Sequence, residues 1–416
     1  MSSGVIQPTA PAPGLLGAGA PSLDEIQGRA FRFFWQESHP QTGLTKDRAK
    51  NTQNSDTYTV ASTASTGYAL TALPIGIERG WISRSAGYQR ALTTLKFAVH
   101  RLPNNHGFFY HFIDWRNGER VWKSELSSVD SGLLVLGALA CGRYFKGTEV
   151  DHLANVLFER MDWRWMQKGG SALFTTEKTL SMGWKPEDGW LKYRWQGYSE
   201  ASSLYFLALG APKFDLPADV WTNWGVKPSV LEGLPVLGGP GPLFMAQMTP
   251  GYFDLRGLKD RKGYDWWQNF VNTHRADVLF CRRNPDRFKT YAAGLWGISA
   301  SDQPEGYGAM VPVAGRGNGT IVPTAFLAGA LFVPEAAQDA LRSLWRLPQR
   351  SKLWGRYGFS NALNLDKEWY DPDVIGIDLG MMLLALENRR SGLLWRLMRD
   401  LPFTRKALEK AGMRRA

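Results

Sequence analysis

Acidic residues recur in this chain inside distinctive stretches. Asp114 ends GFFYHFID, Glu125 and Asp130 lie in SELSSVDSGLL, and Glu200 lies in GYSEASSLY. Asp254 sits in YFDLR, Asp302 in SASDQPEGY, and Asp371, Asp373 and Asp378 in WYDPDVIGID. Glu125 and Asp130 stand at the start of an apolar helical pattern and Glu200 stands directly before another. All three carboxylates can therefore project from helix N-terminal ends, where the helix dipole stabilises negative charge. The plainer reading is that an acid at a helix start is only a cap. Two carboxyl groups facing each other across a sugar-sized gap can do more, because one donates its proton to a glycosidic oxygen while the other activates water or attacks the anomeric carbon. The spacing leaves open which of Glu200, Glu125, Asp130 and Asp378 would form such a pair.

The aromatic content supports a sugar as the reactant. The chain carries 18 Trp, 14 Tyr and 21 Phe, and many rings fall in or beside the connections between helical patterns: Trp163, Trp165, Trp184, Trp190, Trp195, Trp266, Trp267, Trp296, Trp354 and Trp369. Large rings with a polar handle suit a surface that is half apolar and half wet, as a sugar's is. Any single Trp can equally fill a core gap. Candidate substrate contacts are Asp114, Tyr198, Trp190, Trp195, Trp296, Asp302, Tyr307, Trp354 and Trp369.

Other chemistries lack residues. The six histidines, at 39, 100, 106, 111, 152 and 274, show no HExxH or clustered ligand spacing, so no metal site is expected. There is no GxSxG elbow, and GRGNGT at 315–320 lacks the lysine of a phosphate-binding loop. Cys141 and Cys281 have neither CxxC spacing nor a His neighbour and read as buried thiols. Lys and Arg total 49 against 38 Asp and Glu, a formal charge of +11. That charge is thinly spread and densest in the C-terminal tail, so nucleic-acid binding is not expected.

Elements must bring these residues together. At 44% hydrophobic and 21% charged the chain is composed like an ordinary folded protein. Residues 1–21, rich in Pro, Ala and Gly, read as a flexible arm, and residues 22–416 as one domain. Ser22 and Glu25 have capping-box spacing at the start of the first helix. A 3.6-residue period then returns over 60–73, 91–99, 127–144, 150–161, 201–209, 266–280, 336–344 and 375–386. About twelve helical segments fit, joined by long loops at 103–123, 163–198, 232–262 and 296–322. An all-α toroid of paired helices accounts for that count, with a few short strands near 108–113 and 173–175. No apolar run is long enough to span a bilayer, and the N-terminus lacks the form of a secretory leader. The expected place is the cytoplasm, or the periplasm or exterior if a leader has been removed.

The stretches STASTGYALTALPIGIERGWISR, GFFYHFID, ELSSVDSGLLVLGAL, GYSEASSLYFLALG, GLWGISASDQPEGYGA, LWGRYGFSNALN and IGIDLG with ENRRSGLLW, in this order over residues 24–412, resemble the glycoamylase-like domain. That family includes the β-1,2-glucanases of glycoside hydrolase families 144 and 162 and the transglycosylase domain of cyclic β-1,2-glucan synthases. The resemblance implies an (α/α)6 barrel with its site at one end, no cofactor and a β-glucan substrate. It makes Glu200 the general acid and draws the base or nucleophile from Glu125 and Asp130. It places Asp302 and Asp378 in the site, with Asp378 as an alternative base. One departure stands beside IGID, where the family continues with Gln-Gly-Pro and this chain has Leu379, Gly380 and Met381, which predicts a less polar pocket there.

Overall fold

The computed structural model describes residues 19–53, 56–169 and 178–415. Most of the arm expected over 1–21 and the strand expected near 173–175 lie outside them. Twelve of the helices among the described residues frame the barrel, with others such as Leu393–Arg399 between them: α1 Leu23–Gln36, α2 Thr63–Glu78, α3 Arg84–His100, α4 Ser128–Tyr144, α5 Glu149–Arg160, α6 Ser202–Gly210, α7 Met248–Tyr252, α8 Trp266–Arg283, α9 Pro323–Ala328, α10 Pro334–Arg346, α11 Gly376–Arg390 and α12 Pro402–Ala411. Burial sorts them into two layers. In α5 only Val150, Leu153, Ala154, Leu157 and Phe158 are buried, the single stripe of a helix with one face in water. The helices α1, α3, α8, α10 and α12 likewise keep an exposed side. By contrast every residue of α6, α7 and α9 is buried, as is nearly all of α2, α4 and α11. Helices apolar all round belong inside, so these six form an inner ring and the other six surround it, an (α/α)6 barrel.

The ring runs from α2 to α4, α6 and α7, and closes because α7 and α9 both pack on α11, which packs on α2. The α2–α4 contact is the closest: a Cβ on Gly137 would lie 1.9 Å from the Gly67 carbonyl oxygen. Only two glycines allow those backbones to touch. No long outer helix follows α6 in sequence, and α12 fills that place by packing on α6.

Short strands tie the connections at one end: β1 Arg48–Lys50, β2 Val60–Ser62, β3 Phe112–Asp114, β4 Leu126–Ser127, β5 Gly183–Lys185, β6 Gly189–Trp190, β7 Ala300–Ser301, β8 Gly308–Ala309 and β9 Asp373–Ile375. The pairs β1–β9, β2–β3 and β7–β8 and the sheet β4–β5–β6 are antiparallel. β2, β4 and β9 run directly into α2, α4 and α11. Ser62 and Ser127 cap α2 and α4 by accepting from the Ser65 and Asp130 N–H groups at 3.0 and 3.2 Å. The inner helices thus start from a common braced rim.

The periodic segments expected from the sequence are helices here, with ends shifted by a few residues. One shift has a cause: the expected helix over 60–73 begins at Thr63, since residues 60–62 pair with β3. The capping box at α1 is half formed. Ser22 caps the Glu25 N–H at 3.1 Å, while the Glu25 carboxylate turns to Arg29. Cys141 and Cys281 are free and buried. Among the described residues no helix is long and apolar enough to cross a membrane.

Candidate active site

The rim of the inner ring gathers the carboxylates. Asp130 occupies the first turn of α4 and Asp378 that of α11, 4% and 7% exposed, and Glu200, partly exposed, stands two residues before α6. Glu125 precedes β4. The Glu125 carbonyl accepts from the His111 N–H at 2.9 Å, and this pairing sets the His111 ring between two acids. Its Nδ1 lies 3.0 Å from Glu125 and its Nε2 3.5 Å from Asp130. Ser127 Oγ donates to the other oxygen of Asp130.

The protonation states follow from these neighbours. Burial alone would depress His111, but the Asp130 and Glu125 carboxylates outweigh it and push the imidazole up to about 9. Burial would raise Glu125, yet the His111 hydrogen bond and charge hold it below the usual carboxylate range. Burial, opposed by a backbone hydrogen bond but helped by the Asp130 charge, pushes Glu200 up to about 7. Asp378 is likewise pushed up to about 7 by burial and by Asp47, Asp302 and Asp371, with the Asn361 amide opposing the rise. Glu200 and Asp378 are therefore raised toward neutrality while Glu125 is held down by His111, the asymmetry acid–base chemistry requires.

A second group flanks Asp378. Arg48 on β1 pairs with Asp302 at 2.6 Å and with the preceding Asp47 at 3.4 Å, and Lys50 pairs with Asp373 at 2.8 Å. The Asp47 backbone is fixed by accepting from Gly376 N–H, the first residue of α11, at 2.7 Å. Asp302, Asp371 and Asp373 place oxygens within 4.8 Å of one another and, among the described residues, form the one group that could share a cation. Arg48 and Lys50 already balance much of that charge. Tyr307, 64% exposed, belongs to the β7–β8 hairpin above Asp302.

The structure therefore brings Glu200, Glu125, Asp130, Asp378 and Asp302 to one end of the barrel, and it sorts the remaining candidates. Tyr198 and Trp195 lie just before Glu200. Trp195 is a buried support whose Nε1 donates to Ser128 Oγ at 2.8 Å. Trp190 on β6 is two strands from β4, 4.6 Å from the Trp165 ring. Asp114 does not join: Arg116 binds it twice through its side chain and draws it below the usual range. Trp296 is 3% exposed and donates to the Ala336 carbonyl, a core ring between α8, α9 and α10. Trp354 packs with Trp345 and Phe359 under Arg29 of α1. Trp369 pairs with Asn364 in a separate hairpin. Asp254 binds Arg256. Leu379 and Met381 are buried in the core and Gly380 lies against the Tyr68 ring, so that departure alters barrel packing and not the pocket lining. Sequence reasoning passed over Asp47, Arg48 and His111. His111 had a signal, its place in the Asp114 stretch, but only the pairing with Glu125 gives it a role.

These features define a class: an (α/α)6 barrel whose acidic residues converge where the inner helices begin. The Glycoamylase family model, described as "putative glucoamylase", matches residues 192–402, and the chain belongs to this glycoamylase-like family. It is 27% identical over 93% of its length to an exo β-1,2-glucooligosaccharide sophorohydrolase of Parabacteroides distasonis, of which it spans 57%. It is similar in structure to an endo-β-1,2-glucanase of Chitinophaga pinensis, at TM-score 0.85 and 27% identity, covering 95% of this chain and 99% of that one. A β-1,2-glucanase structure from Parabacteroides distasonis matches at TM-score 0.83 and 26% identity, covering 94% of this chain and 59% of that one.

Proposed function

We propose that this chain is a glycoside hydrolase that cleaves β-1,2-linked glucan, with Glu200 as general acid. The observation that carries the reading is the partly exposed Glu200 carboxyl, raised to about 7 by burial and by the charge of Asp130, which with Glu125 is held by His111. Near neutral pH Glu200 holds a proton for the departing sugar oxygen. The partner that activates water or attacks the anomeric carbon comes from Asp130, Glu125 and Asp378. Asp378, at about 7, can take up a proton in the same range. The named activities of the similar proteins support a β-1,2-glucan as the polymer.

The test is Glu200→Gln, assayed for release of shorter saccharides from β-1,2-glucan. Turnover should fall by roughly 10²–10⁴-fold, the usual share of acid–base catalysis, with glucan binding retained. Because the acid must be protonated, kcat/KM of the unaltered protein should decline as pH rises through about 7, and the variant should lose that limb. Undiminished turnover would remove Glu200 from the mechanism. Lengthened or cyclised products would instead mark a transglycosylase using the same groups.

A further inference from the structure

We infer that the hollow between Trp122 and Asp373 is an outer glucosyl subsite, which binds a sugar unit of the substrate away from the bond being cleaved. The inference rests on the hydrolase reading. The hollow has a volume of about 430 Å3, and Arg48, Lys50, Asp56, Tyr58, Trp122 and Asp373 line it. That is the scale of a small-molecule site.

Trp122 is 64% exposed, on a par with Tyr307 as the most open of the large aromatic side chains described. It is held there at a cost, since Trp122 and Lys123 both adopt left-handed backbone, φ 54° and 49°, which side chains other than glycine seldom do. Such strain persists where surrounding contacts impose it and clusters at ligand clamps. The imposing contacts are visible: Val121 N–H donates to the Phe112 carbonyl at 3.1 Å, and the Trp122 ring meets the Phe112 ring edge-on at 5.1 Å. Phe112 in turn stacks on His111 at 3.8 Å, so the platform is braced on the residue that clamps Glu125 and Asp130.

The polar groups suit a neutral polyol. Lys50 and Arg48 offer donors, Asp373 and Asp56 offer acceptors, and Tyr58 can do both. Asp56 also fixes the loop by accepting from the Lys50 and Tyr58 N–H groups at 3.0 and 2.8 Å. The two cations and two acids lining the hollow balance in charge, which favours an uncharged guest over an ion, and a wall with one open ring and charged neighbours disfavours an apolar guest. A sugar presents C–H groups to the ring and hydroxyls to the rest. Asp373 also belongs to the acidic group at Asp302, and Arg48 pairs with Asp302, so the hollow continues the active site.

The experiment is isothermal titration in the Glu200→Gln background with the β-1,2-linked disaccharide and with polymeric β-1,2-glucan. The polymer should bind more tightly than the disaccharide, and adding Trp122→Ala should shrink that gap about three- to tenfold, the range of one aromatic contact. Trp122→Tyr should restore most of it, while Phe214→Ala, an exposed ring outside the hollow, should leave the gap unchanged. An unchanged gap in a Trp122→Ala protein with native circular dichroism overturns the subsite. Should that protein not fold, Tyr58→Phe with Lys50→Ala provides the same comparison. The hydrolase reading fails separately, if the unaltered protein releases no product from the polymer.

Discussion

A single imidazole sets the charge pattern of the candidate site. Without His111, Glu125 would lose the hydrogen bond and the charge that hold it below the usual carboxylate range, and burial would raise it instead. Glu200 would then lose its contrast with Glu125. His111→Gln keeps a polar side chain and removes the charge. It should lower kcat/KM for β-1,2-glucan by about ten- to hundredfold, the loss expected for hydrogen bonds to charged groups. The linkage has a definite sign. A histidine raised from 6.5 to about 9 adds stability that is complete below pH 6.5 and disappears as pH rises through 9. Urea midpoints should therefore drop between pH 6 and 10 in the unaltered protein, and less in the variant.

Among the elements, the α2–α4 contact matters most to the site. α4 carries Asp130, and its approach to α2 depends on Gly67 and Gly137. A methyl group on Gly137 would meet a backbone carbonyl, which cannot swing aside as a side chain can. Gly137→Ala should cost about 1–3 kcal/mol or more through overpacking, read as a lowered Tm. By moving α4 it should also reduce activity. Neither glycine was legible as a contact, since sequence periodicity reports which face is apolar and not how near the neighbour comes. The long apolar helices were legible, because their period is strong. The five- and six-residue inner helices α7 and α9 and the two-residue strands were not, since elements that short leave no period and form only because the barrel buries them. The aromatic residues show the same limit. Trp195 and Trp296 are equally apolar on paper, yet one supports α4 beneath the site and the other fills the outer layer.

The whole molecule closes through its C-terminal helix. α12 takes the outer place beside α6, where Phe403 meets Phe158 and Phe253 at 5.1 and 6.3 Å. Lys406 and Lys410 reach Asp215, and Arg414–Arg415 pair with Leu258–Lys259. The basic C-terminal tail is thus partly engaged with the rest of the molecule. Removing residues 402–416 should uncover α6, whose every residue is buried, and the truncated protein should be recovered mostly as aggregate, measured as soluble yield and Tm.

Residue order alone was enough for the family, the helical class and the placing of acidic residues such as Asp130 near helix starts, because those depend on local pattern and on motifs read along the chain. It could not say that His111 lies between Glu125 and Asp130, that Arg48 holds Asp302, or that Asp114 turns away to Arg116. Those are distances between segments remote in sequence, and an acid's protonation depends on what folding places around it. Burial and neighbouring charge, which exist only once the barrel has closed, give Glu200 its proton.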